Sequence, residues 1–273
     1  MSKNSSTRSS SKSTHPSPRE RVAAERERAR KSAVLRRNGL IATVALVVVA
    51  AGVGGSIALA GGGSSKASSA AGAAVTVPAN ASGPGGTVIV YGKADAPATL
   101  DVYEDFRCPI CDKLERTDGA TIKQLADNGT YKIQYHMGTF LDDNLGGSGS
   151  VDALAAAGAA LNESPAEYEQ FRTVLYANQP DEQNDAFAST DHLLALAAKV
   201  PGLRSAAFDQ AVRNGTYKPW AEKVGAAFTA SGVTGTPTVL LNGTTLNLFD
   251  STGNPVTPAQ YQALVQQTVA AKK

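Results

Sequence analysis

Only two cysteines occur in the 273 residues, and both lie in the string Phe106-Arg107-Cys108-Pro109-Ile110-Cys111. A disulfide between residues three apart closes so small a ring that it removes little entropy from the unfolded chain, so the pair is a poor structural staple. A zinc site needs about four ligands, and beyond the thiols the softer donors are His15, His136 and His192. Pro109 suits the first turn of a helix, where a missing N–H costs nothing. Cys108 is therefore expected at a helix N-terminus, whose unpaired N–H groups and macrodipole favour a thiolate. Cys111, one turn deeper, is better shielded. The pattern favours thiol–disulfide exchange, with attack by Cys108 and resolution by Cys111. Metal binding and an inert pair are the alternatives.

The first third of the chain reads differently from the rest. Residues 1–38 form a basic tail that begins rich in Ser, Thr, Lys and Pro, a composition that predicts disorder. Arg19 to Arg37 is either a helix beside anionic lipid or a solvated charged segment. Residues 39–60 contain a 21-residue uncharged run, Leu40 to Ala60, long enough to span a bilayer core as a helix. Eleven Lys and Arg residues precede it against three acids, so the positive-inside rule places the tail in the cytoplasm and everything after Ala60 outside the cell. The expectation is a single-pass anchor in the cell membrane, in contact with lipid. A cleaved signal is the alternative, since Ala58-Leu59-Ala60 fits a small-residue cleavage site. Either topology delivers Cys108 to an oxidising compartment.

Beyond Ala60 the chain holds 15 basic and 21 acidic residues, a net charge of −6. Such an acidic segment gives no support to nucleic-acid binding. Residues 61–86 are rich in Gly, Ser and Ala and read as a flexible tether, with one folded domain over 87–273.

Within that domain Thr87 to Tyr91, Thr99 to Tyr103 and Tyr131 to Met137 read as strands. A helix opens at the Cys-Pro pair and stops at Asn128-Gly129. Residues 148–231 read as a helical insertion, with helices over Val151 to Leu161, Pro165 to Ala177, Thr190 to Val200, Arg204 to Asn214 and Pro219 to Ser231. Ser164, Ser189 and Ser205 are placed to cap helices. Strands return at Thr238 to Leu241 and Thr245 to Phe249 around the hairpin signal Asn242-Gly243. Thr257-Pro258 starts a terminal amphipathic helix.

This order, with Cys-Pro-Ile-Cys at the first helix, Asp-Phe-Arg before it and Val-Thr-Gly-Thr-Pro-Thr about 125 residues later, resembles the DsbA-like branch of the thioredoxin superfamily. The resemblance covers roughly Thr87 to Lys273. It implies an α/β thioredoxin-like fold with a helical insertion, preceded here by a single transmembrane helix. The implied activity is protein disulfide exchange, with protein thiols as substrates and a quinone-linked membrane partner as reoxidase. No cofactor beyond the redox-active disulfide, and no metal, is implied. A reductase for cytochrome or other thiol maturation would share every motif, and a copper- or zinc-handling protein using both thiols and His136 is a further alternative.

The resemblance also implies a cis peptide at Pro237, with Thr236 offering backbone groups to an extended substrate and with Pro109 and Ile110 beside it. This chain departs from better-known members twice. Ile110 stands where a histidine would supply a further thiolate donor, and Val102 stands where many relatives carry a carboxylate that shuttles the proton of the resolving thiol. Glu104 and Asp105 are the candidate substitutes, against the alternative of solvated charges at a strand end. Arg107 is expected either to favour the thiolate or to face solvent. Trp220, Tyr168, Phe171 and Tyr176 have the spacing of core residues.

Overall fold

The computed structural model describes residues 75–271. The basic tail, the segment 39–60 expected to be an anchor and most of the expected tether lie outside the described residues. Among those described, no helix is long and apolar enough to cross a membrane.

Six strands form one sheet in the order β1-β2-β4-β3-β5-β6: β1 (Ala81–Ser82), β2 (Val88–Tyr91), β3 (Thr99–Glu104), β4 (Lys132–Met137), β5 (Thr238–Leu241) and β6 (Thr244–Thr245). β3 and β4 run parallel, from Thr99 opposite Lys132 to Glu104 opposite Met137, and the other pairs are antiparallel. A parallel pair needs a long crossover, and the cysteine-bearing helix supplies it. Alternation puts Leu100, Val102 and Glu104 of β3 on the same buried face as Ile133, Tyr135 and Met137 of β4 and Val239 and Leu241 of β5.

The crossover begins as α1 (Pro109–Leu114), passes through a π-helical turn (Glu115–Gly119) and continues as α2 (Ala120–Asp127). The sequence predicts one unbroken helix here. The extra residue in the turn accompanies a carboxylate folded over its own helix: a Cβ at Gly119 would lie 2.5 Å from Glu115 Cδ. After β4 comes α3 (Phe140–Leu145), a short helix between glycines that the sequence reading left out.

The insertion follows as α4 (Gly149–Glu163), α5 (Pro165–Ala177), α6 (Thr190–Ala197), α7 (Ala206–Arg213) and α8 (Lys218–Ala230). α4 is buried nearly all round, as its run of alanines and leucines requires. It admits the bulk of Trp220 at Gly158, where a Cβ would come within 2.6 Å of the indole. Ser164, Ser189 and Ser205 each accept an N–H from the first turn of the helix they precede, as expected. Trp220, Tyr168, Phe171 and Tyr176 are all in the core. The last helix, α9 (Pro258–Ala270), starts with a capping box between Thr257 and Gln260.

Two expectations need correction. The hairpin's second strand stops at Thr245 rather than Phe249, because Leu246 and Leu248 turn inward and are buried. The last dozen residues of the tether are tied to the domain rather than loose: β1 pairs with β2, Asn80 Nδ2 donates to the Leu161 carbonyl at 2.8 Å, and Trp220 Nε1 donates to the Gly86 carbonyl at 2.7 Å.

Candidate functional site

Cys108 is the N-cap of α1, with extended backbone, and its sulfur accepts the Cys111 N–H at 3.4 Å. Both cysteines are free thiols. Cys108 is 6% exposed and Cys111 2%, yet their acidities diverge. The Cys108 thiol is pulled down to about 7, chiefly by its contact with the Cys111 side chain, helped by the Thr236 side chain and the N–H groups of Cys111 and Ile110, against the opposing effect of burial. Cys111 is driven well above the ordinary thiol range by burial, by Cys108 and by the charge of Glu104. The neighbouring thiol and the helix N–H groups together thus favour the thiolate at the outer sulfur.

The second half of the site arrives from the far end of the chain. Thr238 on β5 lies opposite Tyr103 on β3, which carries the preceding Thr236-Pro237 peptide to the thiols. That peptide is cis, and the Cys108 thiol donates to the Thr236 carbonyl at 3.5 Å. Ile110, between the cysteines, is 37% exposed, one of few large apolar side chains on the surface. The structure thus brings Cys108, Cys111, Pro109, Ile110, Thr236 and Pro237 together.

Glu104 ends β3 and Asp105 lies just beyond it; both are buried but in different environments. Glu104 faces inward and receives both Nε and one terminal nitrogen of Arg172, at 2.6 and 2.7 Å. The other terminal nitrogen of Arg172 reaches Glu115 at 2.7 Å and lies 3.8 Å from Glu169. The guanidinium is stacked over Tyr135 and Tyr176, 4.6 and 5.1 Å from their ring centres. Three buried carboxyls share one cation, so they cannot all remain ionised cheaply. Burial raises Glu104 despite Arg172. It raises Glu169, the least well paired, to about 7. Sequence reasoning missed Glu115, Glu169 and Arg172; charged residues interleaved with Tyr168 and Phe171 on one helix were the available signal.

The carboxyl of Asp105 is committed to the turn. It accepts from Ser150 Oγ at 2.7 Å, from the Arg107 N–H at 2.9 Å and from the Leu141 N–H at 3.3 Å. Burial nevertheless pushes it up to about 6. Only its backbone N–H is directed at Cys111. Arg107 takes neither of its expected roles: it is 3% exposed and paired with Asp142 at 2.8 Å and Asp185 at 3.2 Å, while donating to the Gly146 and Glu182 carbonyls. Its charge is spent on holding two loops.

His136 is held by Asp101 at 3.0 Å and stacked on Tyr103. Among the described residues, no group of three His, Cys, Asp or Glu side chains is arranged to hold a metal ion.

A dithiol at a helix N-terminus, facing a cis-proline on the central sheet, is a redox site of thioredoxin type. Residues 85–267 match the thioredoxin family, and the chain belongs to it. Among curated proteins, the serine/threonine-protein kinase PknE of Mycobacterium tuberculosis is 30% identical over 118 residues, 42% of this chain and 21% of the kinase, so the chain spans about a fifth of that relative's length. Disulfide bond formation protein D of Bacillus subtilis is 25% identical over 161 residues, 59% of this chain and 70% of that protein. Two solved structures from M. tuberculosis have the same fold. The reduced disulfide bond oxidoreductase DsbG covers 68% of this chain and 89% of its own at 29% identity, with a TM-score of 0.57. Reduced DsbA covers 67% and 92% at 27% identity, with a TM-score of 0.55.

Proposed function

We propose that this chain is a DsbA-like thiol–disulfide oxidoreductase, held outside the cell on an N-terminal membrane anchor, that donates the Cys108–Cys111 disulfide to the thiols of secreted or membrane proteins. The observation that carries the reading is the contrast between the two sulfurs, one acidic beside the cis-proline and one shielded beneath it. The similarity to DsbA and DsbG supports it.

In the oxidised enzyme a client thiolate attacks the sulfur of Cys108, forming the mixed disulfide and breaking the Cys108–Cys111 bond. Cys111 leaves with the electron pair and takes up a proton, as its environment demands. A second client thiolate then attacks the client sulfur of the mixed disulfide, and Cys108 departs as the better leaving group. The client has lost two electrons, and the enzyme holds them as a thiolate–thiol pair. A partner disulfide, reached through a quinone-linked membrane reoxidase, takes them back.

The proton for Cys111 comes from the carboxyl cluster, with Glu104 as the transferring group. Glu104 is the carboxylate that acts on Cys111 electrostatically, and it lies two residues beyond Val102 on the same face of β3. Thr236 offers main-chain groups to the client segment, and Pro109 and Ile110 form its apolar floor.

Trapping tests the exchange. Cys111→Ser should accumulate mixed disulfides with clients, and Cys108→Ser should accumulate few. Equal trapping by both variants, or by neither, would overturn the mechanism. Protease added to intact cells should digest the domain and spare a tag placed before Arg19; a protected domain would overturn the placement and leave the chemistry standing.

A further inference from the structure

The turn that carries Cys108 is gripped on its backbone by one side chain from the helical insertion. Gln179, two residues beyond the end of α5, donates from Nε2 to the Phe106 carbonyl at 2.8 Å and to the Cys108 carbonyl at 3.0 Å. The amide can be oriented only one way, because two carbonyls must be met by its NH2 end, and both hydrogens are then used. Gln179 is itself fixed by its own N–H, which donates to the Tyr176 carbonyl at 3.0 Å. The Tyr176 hydroxyl donates in turn to the Asp105 carbonyl at 3.4 Å.

The Cys108 carbonyl is already the first acceptor of α1, taking the N–H groups of Cys111 at 3.1 Å and Asp112 at 3.2 Å. A further donor from Gln179 to the same oxygen sets the plane of this peptide. That plane fixes how Sγ faces the N–H groups of Ile110 and Cys111. Nothing in the motif itself supplies this contact.

We propose that Gln179 is a positioning residue for the exchange reaction, through which the helical insertion sets the aim and acidity of the Cys108 thiol. The proposal rests on the exchange reading above. Its test is the pH dependence of iodoacetamide alkylation of Cys108 in the reduced full chain, compared with Gln179→Leu and Gln179→Glu. Leucine keeps most of the volume and removes both donors. The alkylation midpoint should move upward, and the rate at low pH should fall about threefold or more, since one lost hydrogen bond is worth about that factor. Glutamate turns an oxygen toward each carbonyl and should move the midpoint further in the same direction. An unchanged profile in Gln179→Leu with an intact circular dichroism spectrum overturns the proposal. Should that variant fail to fold, the profile of Gln179→Glu decides in the same way. The titration reads thiol acidity without turnover, so absence of client oxidation would defeat the exchange reading and leave this result interpretable.

Discussion

The acidity of Cys108 sets a bound on how strongly oxidising the protein can be. A disulfide has no proton to lose, so any stabilisation of the Cys108 thiolate favours the dithiol form and raises the reduction potential. For a two-electron couple the contribution is about 30 mV multiplied by log(1 + 10^(pH − pKa)). With the thiol at about 7, this amounts to only about 9 mV at pH 7, whereas a thiol near 3.5 gains about 100 mV. The strongest oxidant of this type stands at about −120 mV with a thiol of that acidity. If thiolate stabilisation were the only difference, this protein would lie about 95 mV lower, near −215 mV. Thioredoxin, with a thiol also near 7, stands at about −270 mV. The expected value falls between these two.

Ile110→His tests the cause. Ile110 is exposed, and its N–H is one of the groups that lower Cys108, so a histidine there adds a donor without disturbing the core. Lowering the Cys108 pKa by one unit, from about 7 to about 6, should raise the potential by about 22 mV at pH 7 and about 28 mV at pH 8, but only about 8 mV at pH 6. That growth with pH separates thiolate stabilisation from a change in packing. Equilibrium titration against glutathione, with thiolate absorbance read in parallel, measures both quantities. A wild-type potential at or below that of thioredoxin would mark a reductase, and a variant shift that does not grow with pH would refute the argument.

Other perturbations reach different parts of the structure. Asp118, in the π-helical turn, is fully buried with no hydrogen-bond partner for either carboxylate oxygen, and burial raises it from 3.8 to about 6. An acid raised in the folded state destabilises the fold increasingly as pH climbs from the unfolded to the folded value. The penalty is absent in acid and complete above pH 6, at up to about 3 kcal/mol. Asp118→Asn should therefore stabilise the protein against urea at pH 7.5 by about 1 to 3 kcal/mol and leave it little changed at pH 4; lower stability at pH 7.5 would contradict this. Arg172→Met should destabilise by about 3 to 5 kcal/mol, because it leaves Glu104, Glu115 and Glu169 buried without their cation. Adding Glu104→Gln to that variant should recover part of the loss in the same assay, and a further decrease would show that the charge balance is not the cause.

The parts of this molecule that were legible in the sequence are those built by neighbours in the chain. Cys108 and Pro109 specify an N-cap and a first turn by themselves, and each serine that caps an insertion helix lies three residues from the N–H it accepts. The strands β3 and β4 were legible because a period-two pattern needs no tertiary information. Glu104 was visible as a strand-end carboxylate, but its partner Arg172 is 68 residues away, and no local pattern distinguishes a solvated charge from one awaiting a buried guanidinium. Arg107 failed for the same reason: Asp142 comes from α3 and Asp185 from the segment between α5 and α6. The end of the tether misled because Gly, Ser and Ala fit a linker equally well as a short edge strand whose hydrogen bonds run to β2.

The placement of the two thiols at one helix end, one above the other, underlies both their asymmetry and the order of the proposed chemistry. Burial alone would raise both cysteines. Cys108 escapes chiefly through its contact with the Cys111 side chain, helped by N–H groups that the helix cannot use internally, whereas Cys111 is raised by burial, by Cys108 and by the charge of Glu104. The outer sulfur is thus the better leaving group in every exchange, and the inner sulfur must be given a proton whenever the disulfide opens. Under the proposed mechanism the buried carboxyls meet that requirement. A core of purely apolar residues beneath Cys111 would pack well enough, but it would offer no proton to the departing thiolate. A cluster with more carboxyls than cations keeps one near neutral pH. The tyrosines around it bear this out: Tyr135 donates to Glu169 at 2.8 Å and lies under Arg172, so the excess charge is hydrogen-bonded rather than expelled. The same excess accounts for the stability expected to be lost with Arg172, because so many buried carboxyls are tolerable only while that single cation remains.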